Sequence, residues 1–212
     1  MSPSDTRQKP VGIFCLEGEW DTSMADRATV EHVLRMLEGL RIARVIHRDV
    51  GTRQEFEYYC KRWAQKGYAD YRIGYFAFHG RPGCIDISSK ETATLEQFAN
   101  LLGNKIAGRV VYMGSCGTLA AEPDELKHFC AATEAKGIAG YTKSVNWVES
   151  AAFDLITLTA LQSAKTMQPM FKRLQKRYPD LVDTLGFRVA TSMWVGGEQT
   201  VVEDALATPP SK

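Results

Sequence analysis

The sequence contains no C-x-x-C pair, no apolar run long enough to cross a bilayer, no glycine-rich phosphate loop and no excess of either charge. Each absence removes a class of function. Five cysteines at irregular spacing (Cys15, Cys60, Cys84, Cys116 and Cys130) suit neither a zinc site nor a disulfide framework. Without a G-x-G-x-x-G or P-loop pattern, nucleotide cofactors have no support. With 26 basic and 25 acidic residues, the net charge of +1 gives no electrostatic reason to expect nucleic acid or an anionic membrane as partner. The polar opening MSPSDTRQKP lacks the apolar centre of a signal peptide, so the expectation is a cytoplasmic protein with reduced thiols. Internal repeats and low-complexity segments are absent as well.

What is present is alternation. VGIFCLE (11–17), ARVIHRD (43–49), RIGYFAFHG (72–80), RVVYMGSC (109–116) and GIAGYTKSV (137–145) read as strands. Between and after them, 28–40, 52–67, 95–106, 123–137, 148–164 and 169–179 carry apolar residues at helical spacing. Pro82-Gly83 marks a small hairpin or extension over 81–95, and FRVAT (187–191) suggests a further strand. Five or more strand–helix alternations imply an α/β fold: a mostly parallel central sheet with helices on both faces, one domain over 11–195, and flexible tails at 1–10 and 196–212. In such sheets functional residues gather at the carboxyl ends of the strands.

Two strands end on a reactive residue beside glycine: His79-Gly80 and Cys116-Gly117. A free cysteine is usually a buried small hydrophobe, and a strand-end histidine is usually a packing residue. The pairing raises both above that base. Strands joined through one helix are commonly neighbours, so imidazole and thiol are placed to meet. The base would take the thiol proton, and the N–H groups of Gly80 and Cys116 would face a developing oxyanion. Gly114, Ser115 and Gly117 give clearance for a substrate. His47 opens HRDVGT, but Gln54 stands where a kinase loop needs asparagine. A phosphatase loop would need arginine at Glu122, and a G-x-C-x-G elbow would need glycine at Thr118.

The order strand-His-Gly, hairpin, helix, strand-Ser-Cys-Gly resembles the caspase-type cysteine peptidases: caspases, metacaspases, separases, gingipains and, closest in flavour, the bacterial CHAT domains. Gly114-Ser115-Cys116-Gly117-Thr118 carries that likeness, which covers roughly residues 11 to 165. It implies a caspase-like three-layer α/β sandwich and a cysteine endopeptidase with His79 and Cys116 as its dyad. It implies oxyanion donors at Gly80 and Cys116, and no metal or organic cofactor. A protein or peptide substrate would pair with the edge formed by Lys143, Ser144 and Val145. Relatives choose the P1 residue two positions before the cysteine, here Gly114, and in the loop after the first strand, here Glu17-Gly18-Glu19-Trp20-Asp21. Glu17 and Glu19 suggest a basic P1 residue, against which Lys143 and Arg81 pull. Such proteins in bacteria often serve as regulated effectors in defence or cell death, which implies an activating partner or self-association. Two other readings remain open: a non-catalytic flavodoxin-like or caspase-like interaction module, and a cysteine acyl-transfer enzyme acting on a small molecule.

Overall fold

In a computed structural model the described residues are 10–23 and 25–198. They form ten strands and seven α-helices. β1 (Gly12–Glu17), β2 (Arg44–Asp49), β3 (Ile73–Ala77), β7 (Val110–Met113), β8 (Gly137–Tyr141), β9 (Phe187–Ala190) and β10 (Val195–Gly196) form one sheet in the order β10-β9-β8-β7-β3-β1-β2. The five strands from β2 to β8 pair in parallel, and β9 and β10 pair antiparallel. The anticipated α/β architecture with a mostly parallel sheet is therefore present.

Side chains alternate along each strand, and the alternation builds two cores. Phe14, Leu16, Phe76, Val111 and Met113 pack on one face with α2 (Arg53–Trp63), α3 (Leu95–Leu102) and α4 (Pro123–Thr133). Ile13, Cys15, Tyr75, Tyr112 and Tyr141 pack on the other with α1 (Glu31–Gly39), α5 (Trp147–Gln162), α6 (Met167–Arg177) and α7 (Pro179–Leu185). The result is a three-layer α/β sandwich. No helix of the described residues is long and apolar enough to cross a membrane.

From β1 the chain steps outward to β2, then returns to place β3 on the opposite side of β1 and continues to β7 and β8. The crevice between the carboxyl ends of β1 and β3 is thus the topological switch point, where α/β sheets characteristically bind ligands.

Several boundaries differ from the sequence reading. β3 stops at Ala77, and His79 opens a separate three-stranded antiparallel sheet of β4 (His79–Arg81), β5 (Cys84–Asp86) and β6 (Thr92–Thr94). β7 stops at Met113, three residues before the cysteine, and a 3-10 turn follows at Thr118–Ala120. α7 and β10 have no counterpart in the sequence reading, being only seven and two residues long, too short for a period to declare itself. Of the tails expected at 1–10 and 196–212, residues 1–9 and 199–212 lie outside the described residues, whereas Gly196 closes β10.

Candidate active site at the switch point

β3 and β7 are adjacent and parallel, with Phe76 opposite Met113. The chain beyond each strand therefore emerges at the same end of the sheet. Gly80 lies directly against the cysteine loop: a Cβ on it would come within 2.8 Å of the Cys116 carbonyl oxygen and 2.9 Å of the Ser115 Cβ. Only glycine allows that approach. Gly117 adopts the left-handed conformation (φ 66°) that turns the chain into the 3-10 segment, and its N–H donates to the Lys143 carbonyl at 3.0 Å. That N–H holds the loop to the segment after β8 and is not turned toward a substrate. Ser115 is fully buried, with its hydroxyl donating to the Phe76 carbonyl at 3.3 Å.

Cys116 is the one cysteine that is partly exposed; the other four are buried. Burial pushes the thiols of Cys15 and Cys60 well above their ordinary value and that of Cys130 to about 12, so these remain protonated. The Val145 N–H points at the Cys116 sulfur at 3.5 Å.

His79 is exposed, and its Nε2 lies 2.9 Å from the carbonyl oxygen of Trp20. A carbonyl can only accept, so Nε2 carries the proton and, in the neutral ring, Nδ1 is the basic nitrogen. The Trp20 indole meets the imidazole edge-on at 5.4 Å and also meets Trp147 at 4.9 Å, which gives the half-exposed Trp147 a packing partner. His79, Cys116, Gly114, Ser144 and Val145 all line one cavity of about 420 Å³.

Trp20 is itself positioned by Glu17. That carboxylate is 2% exposed and accepts from the Trp20 indole N–H at 2.5 Å, the Thr29 hydroxyl at 2.8 Å and the Val30 N–H at 2.8 Å. Its remaining partner is His47 Nε2 at 2.6 Å. Burial alone would raise the Glu17 pKa, but the bonds from His47, Trp20, Val30 and Thr29 outweigh it and hold the carboxyl below its ordinary value. Burial alone would lower the His47 pKa; the Glu17 bond and the charges of Glu17, Asp49 and Glu31 raise it overall. Glu17 is thus an internal post for the loop after β1 and not a group presented to substrate, as the sequence had suggested. Glu17, His47 and Asp49 also hold donor atoms within 4.8 Å of one another, the kind of set a metal could use. The Glu17 oxygens and the His47 Nε2 are already bonded to one another or to the loop, which is how an ion pair is built.

Other expected residues are placed differently. Glu19 is exposed and borders a second cavity of about 320 Å³, which shares Trp20 and His79 with the first. Lys143 turns away, its ammonium donating to the Asp183 carbonyl at 2.6 Å. The expected substrate-pairing edge is partly occupied, because the Lys143 carbonyl and the Val145 N–H are both bonded to the cysteine loop. Ser144, between them, is exposed. Gly114 is bare because of Tyr75: a Cβ on it would fall within 2.8 Å of the phenolic oxygen.

That phenol belongs to the part of the site the sequence did not reveal. Tyr75, Tyr112 and Tyr141 stand on three neighbouring strands and all donate to Asp154 of α5. Tyr75 reaches Oδ2 at 2.5 Å, Tyr112 reaches Oδ1 at 2.5 Å, and Tyr141 reaches the same Oδ1. Burial pushes the Asp154 carboxyl up; the bonds from Tyr112, Tyr141 and Tyr75 draw it back without cancelling the rise. Asp154 and Tyr75 line the same cavity as Cys116 and His79. The α5 helix that carries the acid starts directly after the β8 loop, capped by the Asn146 side chain, which accepts from the N–H groups of Val148 and Glu149.

Residues 11–190 match the description of a family of unknown function, DUF6642. The chain belongs to that family. Among curated proteins nothing matches it. The match ends at the last residue of β9 and begins just before β1, so it spans the segments that carry His79, Cys116 and Asp154.

Proposed function

We propose that the protein is a cysteine acyl-transfer enzyme of the caspase-like type, an endopeptidase in which Cys116 is the nucleophile and His79 the base. The observation that carries this reading is the shared cavity: the one partly exposed cysteine and an imidazole held by a carbonyl line the same space at the switch point. The Cys116 sulfur attacks the substrate carbonyl, and its proton passes to His79 Nδ1. The N–H groups of Gly80 and Cys116 hold the resulting oxyanion. As the C–N bond breaks, the imidazolium returns the proton to the leaving amine. Water, with His79 again as base, then hydrolyses the thioester and frees the thiol. Trp20 is a positioning residue, fixing the imidazole tautomer through its carbonyl. No step needs a metal or an organic cofactor.

The substrate in this reading is a protein or peptide. Opening the edge around Ser144 for strand pairing requires the Val145 N–H to leave the cysteine, which gives an activating partner or self-association something to act on. A nucleophilic thiol also suits a reducing, cytoplasmic setting.

The test is labelling with a peptidyl acyloxymethyl ketone, followed by intact-mass and peptide mapping. Wild type should be modified at Cys116, Cys116→Ala should not be modified, and His79→Ala should react about 100-fold or more slowly. Modification of Cys116→Ala at the wild-type rate would remove the proposal.

A further inference from the structure

The cavity beside Cys116 has an unusual floor. Among the described residues that line it, Asp154 is the only carboxylate, and no lysine or arginine joins it. The two imidazoles there belong to His32 and His79. The walls include Val33, Val145 and Trp147, so an apolar passage leads to one buried acid. Burial holds the Asp154 carboxyl above its ordinary value, while three hydroxyl donors converge on its two oxygens and stabilise the charge when it forms. Yet among the described residues no cation is bonded to it: the side-chain hydrogen-bond partners of Asp154 are phenols, which stay protonated because burial pushes them far up. A buried charge balanced only by neutral dipoles is costly. The cost falls when a cation arrives from outside.

We propose that this cavity is a specificity pocket for a lysine or arginine side chain on the acyl side of the bond that Cys116 attacks, with Asp154 as the charge that selects it. The aliphatic stem lies against the apolar wall while the cationic head approaches the acid and the Tyr75 oxygen, the division that long basic side chains favour. Asp154 is a specificity-determining residue and takes no part in bond breaking. The pocket also explains Gly114, whose missing Cβ gives Tyr75 the room to reach Asp154. The preference for a basic residue that Glu17 and Glu19 suggested is thereby reassigned to a different acid on a different element.

The inference rests on Cys116 as the nucleophile, so its test has two arms. The first uses matched peptidyl acyloxymethyl ketones carrying Lys, Arg, Leu or Asp at P1, with the rate of Cys116 modification as readout. Wild type should favour Lys and Arg by roughly 30-fold or more, the range seen when a desolvated charge loses its partner. Asp154→Asn should lose most of that advantage, each rate being divided by that variant's own rate of Cys116 alkylation by iodoacetamide. Ala151→Leu narrows the cavity without touching the acid, should cut the basic preference in the same direction, and serves if the asparagine variant does not fold. The second arm uses agmatine, a cation with no acyl group, to slow alkylation of Cys116 by iodoacetamide. Protection in wild type but not in either variant supports the pocket even if no peptidyl probe reacts; in that case the nucleophile reading falls and the pocket stands. Faster labelling by the Leu or Asp probes overturns the pocket and leaves the nucleophile. Absence of both basic preference and agmatine protection overturns the pocket outright.

Discussion

Glu17 and Asp154 are almost equally hidden, at 2% and 4% exposed, yet their carboxyl groups are pushed in opposite directions. Both collect several hydrogen bonds. The difference is one imidazole: Glu17 has His47, whereas among the described residues Asp154 is bonded only by phenols. Glu17 is a finished structural unit whose charge is balanced within the fold. Asp154 opens into a cavity with its charge unbalanced. A buried acid that has its own cation is a building element, and one that lacks it is a place where a ligand can supply the cation.

The largest way to break this contrast is to remove the Asp154 side chain. Asp154→Ala leaves three buried phenols without their acceptor, and a loss of about 3–5 kcal/mol in urea unfolding is expected. Asp154→Asn should cost clearly less, because the acid it replaces has no cationic partner to orphan. Equal losses from the two substitutions would show that the charge itself holds the fold. Next comes Glu17→Gln, which strands His47 and loosens the Trp20 loop. A loss of about 2–3 kcal/mol is expected, exceeding that of Asp154→Asn at pH 6. The reverse order would undo the comparison.

Gly80→Ala sharpens the picture from the side of chemistry. Its methyl group would press on the Cys116 carbonyl at 2.8 Å, and overpacking of this kind costs about 1–3 kcal/mol. Labelling of Cys116 should fall by a larger factor than the shift in unfolding midpoint implies, because the displaced atoms belong to the nucleophile loop. A loss of stability with unchanged labelling would detach Gly80 from the site.

The smallest effect concerns pH. His47 is raised, so its contribution is complete below the ordinary imidazole value of 6.5 and is lost as pH rises through the folded value. Glu17 is lowered, so its contribution is complete above the ordinary value of 4.5 and is lost as pH falls through the folded value. The pair is therefore at full strength between those two ordinary values. His47→Gln should cost about 1.5 kcal/mol in that window, with the difference from wild type shrinking at alkaline pH. A difference that grows as pH rises would reverse the assigned sign.

The alternating pattern made the sheet legible, because buried parallel strands and amphipathic helices differ in both length and period. The adjacency of β3 and β7 was legible in the single helix expected between them, and the segments that follow these strands, with His79 and Cys116, emerge at the same end of the sheet. Glu17 misled because a carboxylate at a strand end looks the same in sequence whether it faces solvent or folds back on a partner 30 residues away. Asp154 lies inside the apolar run AAFDLITLTA, where the helical spacing of its neighbours hides it. A signal was there: a lone acid on a buried helix needs partners, and Tyr75, Tyr112 and Tyr141 each stand on a buried strand. Recognising it required the strands to be set side by side, which the pairing of Tyr75 with Tyr112 does directly.

The central claim is that Cys116 carries the acyl group. Mixing the protein with a peptidyl thiobenzyl ester and quenching in acid before turnover traps any covalent intermediate for mass mapping. The account predicts an acyl thioester on Cys116, lost in Cys116→Ala and slow to form in His79→Ala. An acyl adduct at another residue, or one that forms equally without the Cys116 thiol, would contradict it.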